Sequence, residues 1–352
     1  MVNELRRCTK CVMPDTRPGS VFDEEGVCLA CRNYEKRSQV DWVDRYRQLG
    51  NLCDQYRRLD GSYDCVIAVS GGKDSHFMLH TLKRELGMNP LLITITDPFT
   101  KTNAGRLNLA NLIEVFGCDH IAYTISTEFF KRITRMDFEE HGEPLRFVEI
   151  AIYIAPTRMA ERLGIPLIFY GENPAYDYGT TDEESPLIYP HLQGMMVKLD
   201  RESLLKRGVS KEEINSVNMP GINVDPRYLG YYVPWESTKH LEIARKYGFR
   251  DVVGEWDRVG CSENFEQIDS VGYLMHIWMK YPKFGFQRIS DVESRRIRAG
   301  LQTREKAMEI VEARDSTLDY KVYEDFTSIL GYTEQEFWAI VDKWNKYYDR
   351  LK

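Results

Sequence analysis

The first half of the chain alternates between two patterns of apolar residues. Short runs in which nearly every residue is apolar predict strands buried on both faces, and the segments with an apolar residue every three or four positions predict helices. The predicted strands cover residues 64–70, 90–97, 120–126 and 165–173. The predicted helices cover residues 40–59, 74–86, 104–116, 129–139 and 147–163. This alternation favours an α/β fold with a parallel, doubly wound sheet.

The alternation stops after the fourth predicted strand. Residues 174–235 are rich in aromatic residues, proline and glycine, and include one charged helix near residues 201–206. Such a long irregular insertion favours a substrate lid or a partner surface over a part of the sheet. A helix is predicted over residues 237–247, and residues 250–256 are predicted to add a last short strand.

The C-terminal part of the chain is predicted to be helical. Its last helix begins with a capping box formed by Thr333 and Glu336. The apolar stripe that follows predicts packing against a core or a subunit, and consists of Phe337, Ile340, Val341, Trp344, Tyr348 and Leu351. The chain therefore divides into a zinc-ribbon module (1–38), a linker helix (39–62), an α/β domain (63–265, with the insertion near 174–235) and a helical region (266–352).

Three polar segments follow predicted strands directly. They are residues 70–75, Asp97 and residues 171–173. Because a doubly wound sheet binds its ligand at the carboxyl ends of its strands, these segments are expected to meet at one edge. The sequence thus predicts the active site there.

The segment VSGGKDS, residues 69–75, has the composition of a phosphate-binding loop, but its spacing is not that of the usual P-loop. It follows a strand and opens a helix, so its backbone N–H groups are predicted to face one anion. The residues expected to bind that anion are Ser70, Gly71, Gly72, Lys73 and Ser75. Asp74 would repel a phosphate unless a cation lay between them, which predicts Mg²⁺ bound by Asp74 directly or through water.

Four of the eight cysteines have the spacing of a zinc ribbon. Two C-x2-C pairs, separated by sixteen residues, contain Cys8, Cys11, Cys28 and Cys31. Four thiolates leave no open coordination position, so the predicted Zn²⁺ is structural and not catalytic. Of the other cysteines, Cys261 alone stands in a segment suited to chemistry, and packing is favoured for it as well.

The charge balance restricts the class of partner. Lys and Arg number 47 against 54 Asp and Glu, which gives a formal charge of −7. An acidic chain disfavours tRNA and other long polyanions, whereas small anions stay compatible. No stretch approaches the roughly 20 apolar residues of a membrane span, and the N-terminus lacks a signal-peptide core. We therefore expect a cytoplasmic protein that binds neither a membrane nor a nucleic acid.

The motif SGGKDS resembles the PP-loop of ATP pyrophosphatases (adenine nucleotide alpha hydrolase-like enzymes), which include asparagine synthetase, NAD synthetase and tRNA-modifying enzymes. Together with three further segments it is similar to the N-acetyl sugar amidotransferase family. These segments are CTKCVMPDTRPGSVFDEEGVCLAC, YGENPAYDYG and YPKFGFQRISDVESRRIRAGLQTREKAMEIV. Members of that family make acetamidino sugars of bacterial surface glycans, including derivatives of pseudaminic and legionaminic acids and of an O-antigen sugar.

The resemblance implies an ATP-dependent amidotransferase that uses ATP, Mg²⁺ and a structural Zn²⁺. ATP would adenylylate the acetamido oxygen of a nucleotide-activated sugar, and pyrophosphate would leave on the PP-loop. Ammonia would then displace AMP to give the acetamidino group. It would derive from glutamine, in some members through a glutaminase and cyclase-like protein pair, since this chain carries no glutaminase signature.

Several residues outside the loop are candidates for this chemistry. Glu172, with Lys73 and Asp74, is a predicted catalytic residue that could bind Mg²⁺, sugar or ammonia or else cap a turn. Asp97 and Gly171 are predicted to help bind ATP, although Asp97 could simply start a turn. The candidates for substrate binding are Glu149, Asn173, Lys280 and Arg288.

Two other functions use the same loop. A tRNA-modifying enzyme, of the thiolation or lysidine type, is the stronger alternative, because several of those enzymes combine this loop with a zinc module. Against it stand the acidic charge and the lack of any C-x2-C pair after Cys31 that could carry sulfur or an iron-sulfur cluster, so Cys261 alone would have to serve. A regulatory module that binds nucleotide without catalysis is the weaker alternative.

Overall fold

Five parallel strands form one sheet in the computed structural model, which describes residues 5–179, 185–218 and 223–349. The strands are β1 (Cys65–Ala68), β2 (Pro90–Thr96), β3 (His120–Thr124), β4 (Leu167–Tyr170) and β5 (Asp225–Tyr228). Their order is β3-β2-β1-β4-β5, with β1 paired to both β2 and β4. The predicted doubly wound fold is confirmed, and its topological switch point lies between β1 and β4.

Helices cover both faces of the sheet and fill the C-terminal region. Those before and between the strands are α1 (Leu29–Lys36), α2 (Trp42–Tyr56), α3 (Lys73–Leu79), α4 (Asn103–Phe116), α5 (Thr127–His141), α6 (Arg146–Arg162), α7 (Pro174–Asp177), α8 (Tyr189–Leu199) and α9 (Arg201–Lys206). Those after β5 are α10 (Ser237–Lys246), α11 (Met275–Trp278), α12 (Lys280–Phe284), α13 (Arg288–Arg298), α14 (Arg304–Arg314), α15 (Tyr320–Leu330) and α16 (Glu334–Trp344). Within the described ranges, no helix is long and apolar enough to span a bilayer.

Alternate residues of β1 enter two different apolar layers. Val66 packs in a core with residues of α5 and α6, whereas Cys65 and Ile67 pack in a second core with residues of α2, α3 and α4. Because successive side chains of a strand point to opposite faces, a run of consecutive apolar residues is what a strand covered on both faces requires.

The position of the last strand was predicted wrongly. Residues 250–256 form turns, because the side chain of Asn108 on α4 pairs with both the N–H and the C=O of Arg250, at 2.8 Å each. The fifth strand is β5, inside the segment that was expected to lie outside the sheet. Its Pro226 disfavours a strand in sequence, but β5 lies at the end of the strand order, where proline is tolerated.

The predicted capping box of the last helix is confirmed. Thr333 accepts a hydrogen bond from the N–H of Glu336, whose side chain accepts one from the N–H of Thr333. The helix ends at Trp344, and Tyr348 folds back so that its ring stacks on Trp338 with 6.0 Å between centroids. Leu351, the last residue of the predicted stripe, lies outside the described residues.

The four paired cysteines converge at the N-terminus. Their sulfur atoms lie within 4.8 Å of one another, and all four residues are buried. The Sγ atoms of Cys11 and Cys28 are 3.7 Å apart, and a tetrahedral zinc site with bonds of about 2.3 Å places its sulfur atoms about 3.8 Å apart. The N–H groups of Cys11 and Cys28 point at Cys8 Sγ, at 3.4 and 3.3 Å, which favours a thiolate. This donor set fits Zn²⁺ in a structural role.

The cysteine module is clamped to two other parts of the protein. Arg304 of α14 donates from Nε to the carbonyl oxygens of Cys8 and Cys11, at 3.2 and 3.1 Å. On the other side, Asn33 Nδ2 donates to the carbonyl oxygen of Ala175 at 2.8 Å. Gly179 lies so close to α1 that a Cβ there would be 2.2 Å from Ala30 N. The module thereby supports the segment that follows β4.

Removal of the metal is expected to loosen the segment after β4 as well as the module. Cys31→Ser should abolish zinc binding, lower the melting temperature, and increase hydrogen exchange at residues 171–179, because Asn33 and Ala30 lose their fixed positions. Metal analysis, calorimetry and hydrogen-exchange mass spectrometry measure the three effects. Cys118→Ser, which changes a buried cysteine far from the module, is the control and should retain the metal. Full zinc content in Cys31→Ser would contradict the assignment.

Candidate active site

The glycine loop turns sharply between β1 and α3. Gly71 has φ +84°, and a Cβ there would lie 2.8 Å from Leu109 Cα, so both conformation and space require glycine. Ser75 Oγ accepts a hydrogen bond from Ser70 N at 3.1 Å, which closes the loop on itself. Gly72 is the N-cap of α3, so the first N–H groups of the helix open toward the carboxyl edge of the sheet. A helix start in this position suits a phosphate.

Lys73 lies beneath this loop, not on its surface. Its side chain is 4% exposed, and its Nζ contacts both carboxylate oxygens of Asp74, at 2.8 and 2.9 Å, and Glu266 Oε1 at 3.2 Å. Burial by itself would lower the pKa of Lys73, but the two carboxylates outweigh it and raise that pKa. Lys73 therefore stays charged and holds Asp74 in place.

His240 fixes the other side of Asp74. Its Nε2 accepts a hydrogen bond from the N–H of Glu236 at 3.2 Å, so the proton resides on Nδ1, which donates to Asp74 Oδ1 at 2.6 Å. The ring stacks on Phe77 with 3.9 Å between centroids, and burial lowers the pKa of His240. Burial opposes ionisation of Asp74, but Lys73 and His240 outweigh it and lower the pKa of Asp74. A partly exposed, ionised carboxylate results.

Glu266 forms ion pairs with several cationic side chains behind the loop. Besides Lys73 it pairs with Arg295 at 2.7 Å and with Arg288, and it accepts a hydrogen bond from Ser237 Oγ. Burial would raise the pKa of Glu266, but Arg295, Lys73 and Arg288 together lower it. Arg288, a predicted substrate-binding residue, thus pairs with Glu266 instead. Its Nε also lies 3.5 Å from Glu263 Oε1.

His240 and Glu266 were not identified from the sequence. His240 lies 166 positions from Asp74, and no motif surrounds either residue. The available signal was weak: a single histidine in a predicted helix and an acidic residue in an irregular segment. Only the folded chain brings them to the loop.

The segment after β4 lies beside the loop, as predicted. Gly171 leaves room for the ring of Trp235, which a Cβ would approach to 2.8 Å. Asn173 caps α7, because its Oδ1 accepts a hydrogen bond from Ala175 N at 3.0 Å, and it is buried. The structure therefore places Asn173 in a capping position.

Glu172 follows β4 at the same edge of the sheet as the loop that follows β1. Tyr178 Oη lies 3.4 Å from its Oε1, and among the described residues no lysine, arginine or histidine forms an ion pair with it. Burial raises the pKa of Glu172, and the nearby charge of Asp74 raises it further. A carboxylate in this setting can bind a cation or accept a proton.

Asp74 and Glu172 fit Mg²⁺ only with help from a ligand. In the described part of the chain, the four cysteines are the one group of three or more closely spaced metal-ligating residues. Mg²⁺ commonly takes one or two carboxylates and completes its six positions with phosphate oxygens and water. Two carboxylates beside a phosphate-binding loop match that habit.

The remaining predicted site residues are Asp97, Glu149 and Lys280. Asp97 accepts hydrogen bonds from Phe99 N, Ser270 Oγ and Lys101 Nζ, at 3.0, 2.8 and 2.6 Å, so its contacts are those of a turn. Glu149 is half exposed and pairs with His276 Nε2 at 3.2 Å. Burial opposes ionisation of Glu149, but His276 and then Lys280 lower its pKa. Lys280 is half buried at the start of α12.

Cys261 is a buried thiol. Its Sγ lies 3.0 Å from Glu263 Oε1, and burial together with that carboxylate raises its pKa to about 12. The thiolate is the reactive form of cysteine, so this environment suits packing better than nucleophilic chemistry.

Comparison with known proteins gives one family match. Residues 255–351 match the family described as "LPS biosynthesis protein WbpG-like, C-terminal domain". MJ1599, an uncharacterized protein of Methanocaldococcus jannaschii, is 23% identical over 181 residues, or 50% of this chain and 62% of that protein. The chain thus spans less than two thirds of the length of this relative.

Three solved structures are similar over long stretches at low identity. NMN synthetase from Francisella tularensis is 9% identical with a TM-score of 0.35, over 85% of this chain and 96% of that chain. U34-tRNA thiolase NcsA from Methanococcus maripaludis is 10% identical with a TM-score of 0.35, over 94% and 100%. NH3-dependent NAD synthetase from Campylobacter jejuni is 14% identical with a TM-score of 0.31, over 62% and 99%.

The match over residues 255–351 confirms the predicted resemblance to a family of bacterial surface-glycan synthesis for the C-terminal region. That region contributes Glu266, Arg288 and Arg295 to the space behind the loop. The matched range therefore contains Glu266, which pairs with Lys73, together with Arg288 and Arg295, which pair with Glu266.

Proposed function

We propose that the protein is an ATP-dependent amidotransferase that converts the acetamido group of a nucleotide-activated sugar to an acetamidino group, with ATP, Mg²⁺ and a structural Zn²⁺. The observation that carries the proposal is the ionised Asp74, held by Lys73 and His240 at the start of α3 and facing the same edge as Glu172. A phosphate-binding loop with a fixed carboxylate and a second carboxylate opposite suits cleavage of ATP beside an amide. The LPS biosynthesis match supports a sugar as the substrate.

The chemistry begins with the amide oxygen. That oxygen attacks the α-phosphorus of ATP, an O–P bond forms, and the bond to the pyrophosphate oxygen breaks. The loop residues Ser70, Gly71, Gly72 and Ser75 would hold the departing pyrophosphate. Mg²⁺ on Asp74 would neutralise phosphate charge when bound. The positive charge of Lys73 would act from beneath the loop, since its Nζ is buried.

The second half forms the new C–N bond. Ammonia attacks the activated carbon, the C–O bond breaks with its electron pair leaving on AMP, and a proton is released from the nitrogen. The product is an amidinium. The amide oxygen alone is a poor leaving group, whereas AMP, which carries that oxygen away, is a good one. Glutamine is the proposed source of ammonia, through a glutaminase and cyclase-like partner pair.

A tRNA-modifying activity is the second candidate, because a zinc module and this loop occur together in such enzymes. The environment of Cys261 argues against the thiolation form. A sulfur carrier must reach a thiolate state, whereas burial beside Glu263 holds the Cys261 thiol protonated at neutral pH. Loss of turnover in Cys261→Ala, together with copurifying tRNA, would favour this candidate instead.

Isotope-resolved mass spectrometry tests the leading proposal directly. We expect a nucleotide-activated acetamido sugar, incubated with ATP, Mg²⁺ and ¹⁵N-ammonium, to exchange one oxygen for one ¹⁵N-labelled NH group. AMP and pyrophosphate should appear in amounts equal to the product. Reactions without ATP or without ammonium are the controls. Absence of label across CMP- and UDP-activated acetamido sugars, with pure protein of full zinc content, would exclude the proposal.

His240 is expected to affect the ATP half of the reaction. His240→Phe keeps the stacking on Phe77 but removes the donor to Asp74, so AMP formation should fall roughly 10- to 100-fold, the effect of losing a hydrogen bond to a charged group. His240→Asn, which offers an amide donor in place of Nδ1, should recover part of the loss. Steady-state kinetics with varied Mg²⁺ and ATP measure both. Equal losses in the two variants would show that His240 serves packing alone.

A further inference from the structure

Two buried polar atoms, one on β5 and one on α8, have no hydrogen-bond partner among the described residues. They are Tyr228 Oη and His191 Nε2. Tyr228 is the last residue of β5 and pairs in register with Tyr170, which ends β4 two positions before Glu172. His191 comes from α8, and its ring centroid lies 6.5 Å from that of Tyr228 and 5.2 Å from that of Tyr153. Two neighbouring rings thus carry unpartnered atoms, and one of these rings, that of Tyr228, lies at the carboxyl ends of β4 and β5.

Buried polar atoms without partners are unfavourable. Each costs free energy comparable to a lost hydrogen bond, so a pair of them indicates a small hydrogen-bonding ligand. Because Tyr228 is paired with Tyr170 and side chains two positions apart along a strand share a face, Glu172 follows on the side of β4 that faces the Tyr228 phenol. Burial raises the pKa of Tyr228, and the charge of Glu172 raises it further. Burial lowers the pKa of His191, so its ring is neutral at neutral pH and offers one donor and one acceptor.

The geometry points to an ammonia-binding site formed by Glu172, Tyr178, His191 and Tyr228. This inference rests on the proposed function and gives the position at which its nitrogen substrate, ammonia, binds. Ammonium is a small cation whose four N–H groups suit a carboxylate, a phenol oxygen and an imidazole nitrogen, and aromatic rings around it add a cation–π contribution. Mg²⁺ favours oxygen ligands over such rings.

The position also suits the chemistry. Ammonium must lose a proton before its nitrogen can attack, and Glu172 is the acceptor: one proton moves from NH₄⁺ to the carboxylate. The nitrogen lone pair forms the C–N bond to the activated carbon, and the C–O bond breaks with its electron pair leaving on AMP. The nitrogen releases one more proton to solvent as the amidinium forms. Within the described part of the chain, Glu172 forms no ion pair with a cationic side chain, so its carboxylate keeps its affinity for a proton. That affinity suits Glu172 to accept the proton from ammonium.

Tyr228→Phe is the decisive variant, because it removes only a hydroxyl group that lacks a partner. The KM for ammonium should rise roughly 3- to 10-fold, the loss expected for one hydrogen bond, while the KM values for ATP and sugar stay unchanged. The melting temperature should be equal to or above that of the parent protein. Tyr63→Phe is the matched control, since its hydroxyl pairs with Asp119 at the opposite end of the sheet, and all three KM values should stay unchanged.

A partial reaction separates this inference from the proposed function. Sugar-dependent exchange of labelled pyrophosphate into ATP, without ammonium, reports the activation step, and Tyr228→Phe should retain it. If the parent protein lacks exchange and product, the proposed function fails. If the parent protein is active and Tyr228→Phe leaves the ammonium KM unchanged, the pair holds only water and the ammonia site is refuted. A parallel rise in all three KM values would refute it too.

Discussion

The contact between Lys73, Asp74 and Glu266 is the constraint around which the site is arranged. An ammonium group that is 4% exposed needs carboxylate partners, because removing such a charge from water costs several kcal/mol unless it is paired. Asp74 is its sequence neighbour, but Glu266 comes from almost 200 residues farther along the chain. The charge of one loop residue therefore ties the α/β domain to the region that carries the LPS biosynthesis match.

This arrangement also includes charged side chains that do not contact the loop. Glu266 also pairs with Arg288 and Arg295 of α13, so the side chains behind the loop form a network of alternating charge. Lys73, which this network holds in place, acts together with His240 to lower the pKa of Asp74, so Asp74 stays ionised at neutral pH. The front of the loop therefore presents hydroxyl and N–H donors to an anion, while the cationic Nζ of Lys73 is buried below them.

The cysteine module has a comparable supporting role on the opposite side. It is held by α14 through Arg304 and holds the segment after β4 through Asn33. A metal ion bound by the four cysteines would thus also fix, from a distance, the segment that carries Glu172. Closed coordination by four thiolates suits that task, because it provides rigidity without reactivity.

The sequence by itself determined the features that depend on local chemistry. Apolar runs predicted β1 to β4, glycine spacing identified the loop, Thr333 and Glu336 predicted the cap, and two C-x2-C pairs predicted the cysteine site. Only the tertiary structure decided which distant residues complete each feature. His240 and Glu266 around Lys73 and Asp74, the strand β5 despite its proline, and the pair formed by His191 and Tyr228 all depend on contacts between remote segments. Periodicity and spacing report neighbours along the chain, whereas burial, hydrogen bonding and charge pairing are set by neighbours in space.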